Sequence, residues 1–152
     1  MKKLLTALAI LASATCSAFE GRVVGVLDGD TIDVLDAQHR SHRIRMAEID
    51  APEKAQAFGQ RSKQHMSDLC YGKTAVVTPV TQDQYGRTVG RVSCNGINAN
   101  LQMVTDGMAW VYRQYAQSPS LFRAEEIARG RKIGLWADPN PTPPWMWRRA
   151  HK

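Results

Sequence analysis

The chain lacks an apolar stretch long enough to anchor it across a bilayer. The run from Leu4 to Leu11 falls well short of the roughly 20 residues that a membrane helix needs. No linker or internal repeat divides the 152 residues, which argues against a repeat array or a string of domains. His39, His42, His65 and His151 are scattered without metal-ligand spacing. Cys70 and Cys94 could ligate zinc only with two further ligands, and the sequence offers none at a suitable spacing.

What is present begins with an address label. Lys2 and Lys3 precede the short apolar core, and small residues lead to Cys16-Ser17-Ala18, the pattern of a signal peptide cut before Phe19. A tether retained at the membrane, or a lipidated Cys16, is the alternative. The expected layout is a signal peptide over 1–18, one domain over 19–137 and a tail over 138–152. Cleavage would leave 18 Lys+Arg against 14 Asp+Glu, a net charge of +4, which suits either solubility or a polyanionic partner. It also leaves Cys70 and Cys94, an even pair that favours a disulfide in an exported protein; two separate buried thiols are the other reading.

Periodicity predicts three strands first. Phe19 to Leu27 is β-rich, Ile32 and Val34 alternate with Asp33, and Ile44 and Met46 alternate with Arg43 and Arg45. Between Gln56 and Tyr71 the spacing of Phe58, Met66 and Leu69 becomes helical, and Gly72 stops it. Thr74 to Val80 and Thr88 to Ser93 read as two more strands around the Asp83–Gly86 turn. A helix is expected over Asn98 to Asp106, and another opens at Ser118-Pro119 with Leu121, Phe122 and Ile127 inward. Five strands and about three helices predict an α+β, mainly β chain folded as an OB-type barrel. The proline-rich, tryptophan-rich tail is expected to lie extended on the domain.

Three segments carry chemistry. Asp28-Gly29-Asp30 holds two carboxylates that point the same way in extended chain, a donor set for hard cations; a simple Asp-Gly turn is the bland account. Arg45 through Glu53 adds a guanidinium, Asp50, and a carboxylate fixed after Pro52. Glu53 could take a proton from water and Arg45 could grip phosphate, although an exposed ion pair would use the same residues. Arg87 follows the Gly86 turn, with Tyr85 beside it.

Asp28-Gly29-Asp30-Thr31, Ile49-Asp50-Ala51-Pro52-Glu53 and Tyr85-Gly86-Arg87, in that order, resemble the staphylococcal nuclease (thermonuclease) family. The resemblance runs from about Val23 to Trp136. It implies an OB-type barrel and Ca²⁺-dependent hydrolysis of DNA and RNA to 3′-phosphate ends, with Mg²⁺ or Mn²⁺ as other cations. It also implies that Asp30, Asp50 and the Ala51 carbonyl hold the metal, with Asp28 acting through water. Arg45 and Arg87 would then bind phosphate and Glu53 would serve as general base. Tyr85, Trp110 and Tyr112 lie where the substrate would stack, though Trp110 and Tyr112 suit a core equally. Ala51 departs from a common threonine, and Glu48 is an extra acid without a role. The expectation is an exported monomer, periplasmic or secreted, with no stable protein partner and no membrane contact after cleavage. A nucleic-acid-binding OB module without catalysis is the alternative.

Overall fold

The computed structural model describes residues 17–151, so almost all of the expected signal segment, including Cys16, lies outside the described residues. The first three strands are β1 (Phe19–Val26), β2 (Thr31–Asp36) and β3 (Ser41–Met46). Their alternation is that of a half-buried sheet: Ile32, Val34, Ile44 and Met46 are buried, while Arg43 faces water. The expected third strand breaks at Ala47-Glu48, where Glu48 takes a positive φ of 66°, and resumes as β4 (Ile49–Asp50). Helix α1 (Gly59–Cys70) follows, then β5 (Thr74–Gln82) and β6 (Thr88–Cys94). The remainder comprises β7 (Ile97–Asn98), α2 (Ala99–Thr105), β8 (Trp110–Val111), α3 (Pro119–Gly130), a 3₁₀ turn (Gly134–Ala137) and α4 (Pro144–Ala150).

Five strands close a barrel in the order β3-β2-β1-β5-β6, sealed by a parallel β3–β6 pairing. That seam sets Ile44 opposite Thr88 and Arg45 opposite Val89, so Arg45 and the Arg87 turn emerge at the same rim. Thr31 pairs with Arg45 across β2–β3, bringing the Asp28–Asp30 loop to that rim as well. Val23, Ile32, Val34, Ile44, Met66 and Val77, all fully buried, share the core. Sequence positions far apart thus meet because the barrel must close over these side chains.

Two expectations need correction. The tail bends over 138–140 instead of running extended, and Pro144 then starts α4, because proline at the first helical turn gives up an N–H that has no partner there anyway. On α3, Ile127 is exposed and the inward place is taken by Glu125, which is fully buried. Its carboxylate is satisfied by the Val111 N–H at 2.9 Å and by Arg113 at 2.5 Å, which is how a charge can sit inside.

Cys70 ends α1 and Cys94 ends β6; they form a buried disulfide with a Cα–Cα distance of 5.3 Å. It closes a 24-residue separation, worth roughly 3 kcal/mol on the chain-entropy account. Urea unfolding of the Cys70→Ala/Cys94→Ala protein should show about that loss, and reductant should destabilise the wild type but not the variant.

Candidate active site

The rim of the barrel opens into a cleft of about 820 Å³. Asp28, Asp30, Arg45, Asp50, Ala51 and Glu53 line one part of it, and Tyr85 and Arg87 another. All the acids and arginines singled out in the sequence therefore share one cavity.

The local backbone explains how the acids are held. Asp30 N–H donates to Asp28 Oδ1 at 3.0 Å, and Ala51 N–H donates to Asp30 Oδ2 at 2.7 Å, fastening the two acidic segments side by side. Gly29 is required by close approach: a Cβ there would collide with Ser62 Oγ of α1 and with Ala51 Cβ.

Arg45 lies between the carboxylates. Its Nη1 donates to the carbonyls of Met46 at 2.7 Å and Ile49 at 2.8 Å; its Nη2 donates to Asp50 Oδ1 at 2.9 Å and lies 3.2 Å from Asp30 Oδ2. Burial pushes the Asp50 carboxyl up, Arg148 and Arg45 pull it down, Asp30 pushes it up again, and the net shift is upward. Asp28 is raised to about 6, chiefly by burial and then by the charge of Asp30. Arg87 is paired with Asp83 at 2.7 Å, and its guanidinium lies over the Tyr85 ring at 5.6 Å.

Trp110 does not line the cleft, which corrects its expected stacking role. It is buried against Trp136, with ring centroids 4.4 Å apart, and under the Arg129 guanidinium at 4.9 Å. Alternation on β8 turns Val111 and Trp110 to opposite surroundings, and both are interior. Tyr112 does line the cleft, as does Tyr115, which sequence reading missed.

Glu48 acquires a role. Its carboxylate accepts from Gln117 N–H at 2.7 Å, Ser118 N–H at 2.9 Å and Ser118 Oγ at 2.9 Å, and pairs with Arg91 at 3.2 Å. Its carbonyl accepts from Tyr112 N–H at 2.8 Å. Burial alone would raise this acid, but those hydrogen bonds hold it below its ordinary value. Glu48 thereby fixes the segment that carries Tyr112 and Tyr115.

Arg148 was also missed. From α4 it donates to Asp50 Oδ1 and Oδ2 at 3.1 and 2.9 Å and to Glu53 Oε1 at 2.7 Å. A run of charges near a chain end reads as a solvated face, and no local pattern reveals a contact made 98 residues away.

Among the described residues, no three His, Cys, Asp or Glu side chains form a ready metal cage. The donors at Asp30 and Asp50 are nonetheless all oxygen, and a cation would offset the Asp30 charge that, after burial, raises Asp28. The set thus fits a hard divalent ion completed by water or substrate, and does not fit a soft metal.

The profile of the family described as "Staphylococcal nuclease homologue" matches residues 43–138. The chain belongs to the staphylococcal nuclease family. An "Uncharacterized endonuclease" of Haemophilus influenzae is 46% identical over 155 residues, covering 99% of this chain and 87% of that protein. A protein of the same description from Escherichia coli O157:H7 is 49% identical over 134 residues, covering 88% of this chain and 87% of its own length. A "Micrococcal nuclease" of Shigella flexneri is 42% identical, covering 100% of this chain and 98% of its own length. The protein is thus a staphylococcal-nuclease-like phosphodiesterase acting on nucleic acid, on a barrel of the kind the sequence predicted.

Two predictions follow from the charges. Ionising Asp28 costs more in the folded than in the unfolded chain, so its contribution to stability is full below its unfolded value of about 4 and lost as pH rises through 6. In chelator, Asp28→Asn should gain stability relative to wild type between pH 4 and 7, measured by thermal melts. Removing the Glu48 carboxylate should cost about 1–3 kcal/mol, since it leaves two backbone N–H groups without their acceptor. Denaturant unfolding of Glu48→Ala checks this.

Proposed function

We propose that this nuclease is exported and Ca²⁺-dependent, and hydrolyses DNA and RNA with little sequence preference to leave 3′-phosphate ends. The observation that carries the reading is the convergence of Asp30, Asp50, Glu53 and Arg45 on one cleft that Arg87 also lines. Asp30, Asp50 and the Ala51 carbonyl would hold the cation, with Asp28 acting through water. Bound there, Ca²⁺ supplies a Lewis acid for a phosphoryl oxygen.

The chain's own groups do the rest. Glu53 is half-exposed at the cleft mouth, so its carboxylate can accept a proton from the water that attacks phosphorus. The water oxygen forms the new P–O bond, the P–O5′ bond breaks, and the departing O5′ keeps its electron pair until it is protonated. Arg45 and Arg87 offer guanidinium donors where charge accumulates on the non-bridging oxygens. Exposed Tyr85 and the neighbouring Tyr112 and Tyr115 provide faces for bases without reading their edges. The Lys2-Lys3 apolar leader and the Cys70–Cys94 bridge support export to an oxidising compartment, periplasm or medium. The proposed scheme is that of a monomer acting on nucleic acid without a stable protein partner.

Cleavage of single- and double-stranded DNA and of RNA, in Ca²⁺ and in excess chelator, tests the proposal. Glu53→Gln should lower kcat by about 10²–10⁴ and chelator should abolish cleavage. Folded protein that binds DNA but cuts nothing in Ca²⁺, Mg²⁺ or Mn²⁺ would instead be a binding module. Cleavage should also weaken steeply with added salt, as phosphate contacts dictate.

A further inference from the structure

We propose that Arg148 is a positioning residue for hydrolysis, holding Glu53 against Asp50, so that the C-terminal helix is part of the nuclease site. The inference rests on the reading of Glu53 as the group that takes the proton from water.

The Arg148 guanidinium bridges two carboxylates of unlike exposure. Asp50 is 1% exposed and fixed by Arg45, whereas Glu53 is 34% exposed. A half-exposed glutamate samples several rotamers unless something restrains it. Arg148 supplies the restraint, because Nη1 donates to Glu53 and to Asp50 Oδ1, while Nη2 donates to Asp50 Oδ2. A planar fork of this kind holds direction as well as distance.

The helix that presents Arg148 is fastened by contacts other than the ion pair. Trp145 stacks on Tyr112 with centroids 5.5 Å apart and rings 4° from parallel, and meets Trp110 edge-on at 5.6 Å. Gln56 Nε2 donates to the Thr142 carbonyl at 2.6 Å, and the Gln56 Oε1 accepts from Glu53 N–H at 3.0 Å. Gln56 therefore ties the backbone of Glu53 to the chain leading into α4, while Arg148 ties its side chain to α4 itself. A loose plug would depend on the ion pair alone; α4 is a fixed support.

Because Arg148 shares both oxygens of Asp50, it also reduces the negative charge available to a cation. Its removal therefore raises cation affinity while it lowers turnover, a combination that general unfolding would not produce.

The test compares wild type, Arg148→Gln, Arg148→Lys, Glu53→Gln and the double variant Glu53→Gln/Arg148→Gln in the full chain. DNA hydrolysis is measured in saturating Ca²⁺, Ca²⁺ binding by calorimetry, and folding by thermal melts. Arg148→Gln should lower kcat by about 10- to 100-fold, the scale of a mispositioned reacting group, with KM within about threefold. Arg148→Lys should recover part of that loss, since an ammonium keeps the charge but not the fork. In the Glu53→Gln background, Arg148→Gln should cost almost nothing further. Arg148→Gln should also bind Ca²⁺ more tightly.

An unchanged or higher kcat in Arg148→Gln overturns the proposal and makes α4 inert or inhibitory. An equal loss in the Glu53→Gln background overturns it too, because Arg148 would then act through some other group. If Arg148→Gln fails to fold, an Arg148→Lys protein with normal stability and wild-type kcat overturns it. Wild-type activity in Glu53→Gln defeats the reading of Glu53 itself, an outcome that does not depend on Arg148.

Discussion

The site depends on the Arg45 guanidinium. Four of its contacts are inward, to two carbonyls of the Met46–Ile49 turn and to Asp30 and Asp50, and only 14% of its side chain reaches solvent. Two acids this close repel each other, and burial penalises both. A delocalised cation between them compensates both effects and fixes the backbone turn that points Asp50 at Asp30. The parallel β3–β6 seam holds Arg45 there, so closure of the barrel and assembly of the acids are one event.

Close packing makes that arrangement stiff. Gly29 lets α1 press on the Asp28–Asp30 loop, and a Cβ at Gly59 would strike the carbonyl of Glu53. The acidic segments are thus gripped by the same helix from two sides. Glu48, at a backbone conformation few side chains adopt, fixes the tyrosine-bearing segment opposite. The cleft is therefore framed by rigid contacts, and Tyr85 lies at its edge with three-quarters of its surface exposed.

Local pattern was enough for the five long strands and the barrel, because alternation and turn residues carry that information along the chain. The Cys70–Cys94 bridge, favoured only on an even cysteine count, needed the structure to choose it over two separate thiols. Asp28, Asp30, Arg45, Asp50, Ala51, Glu53 and Arg87 share the cleft because β2, β3 and β6 are neighbours, which follows from the predicted barrel. What stayed hidden depends on distant contacts. Whether Trp110 faces core or cleft is decided by Trp136 and Arg129, more than fifteen residues onward. Arg148 meets Asp50 only because Pro144 starts a helix and Trp145 finds Tyr112. Glu125 at an inward position defeats any hydrophobic count, since its partner Arg113 comes from another element.

The Cys70–Cys94 bridge has a consequence for any cell that makes such an enzyme. It joins the end of the helix that grips the acids to the end of the strand that seals the barrel. About 3 kcal/mol corresponds to more than a hundredfold in the ratio of folded to unfolded chains. A reducing cytosol, where the genome and messenger RNA are, therefore holds a larger share of the chains without an assembled cleft than an oxidising exterior does. The bond thus makes the share of chains with an assembled cleft depend on the redox state around them.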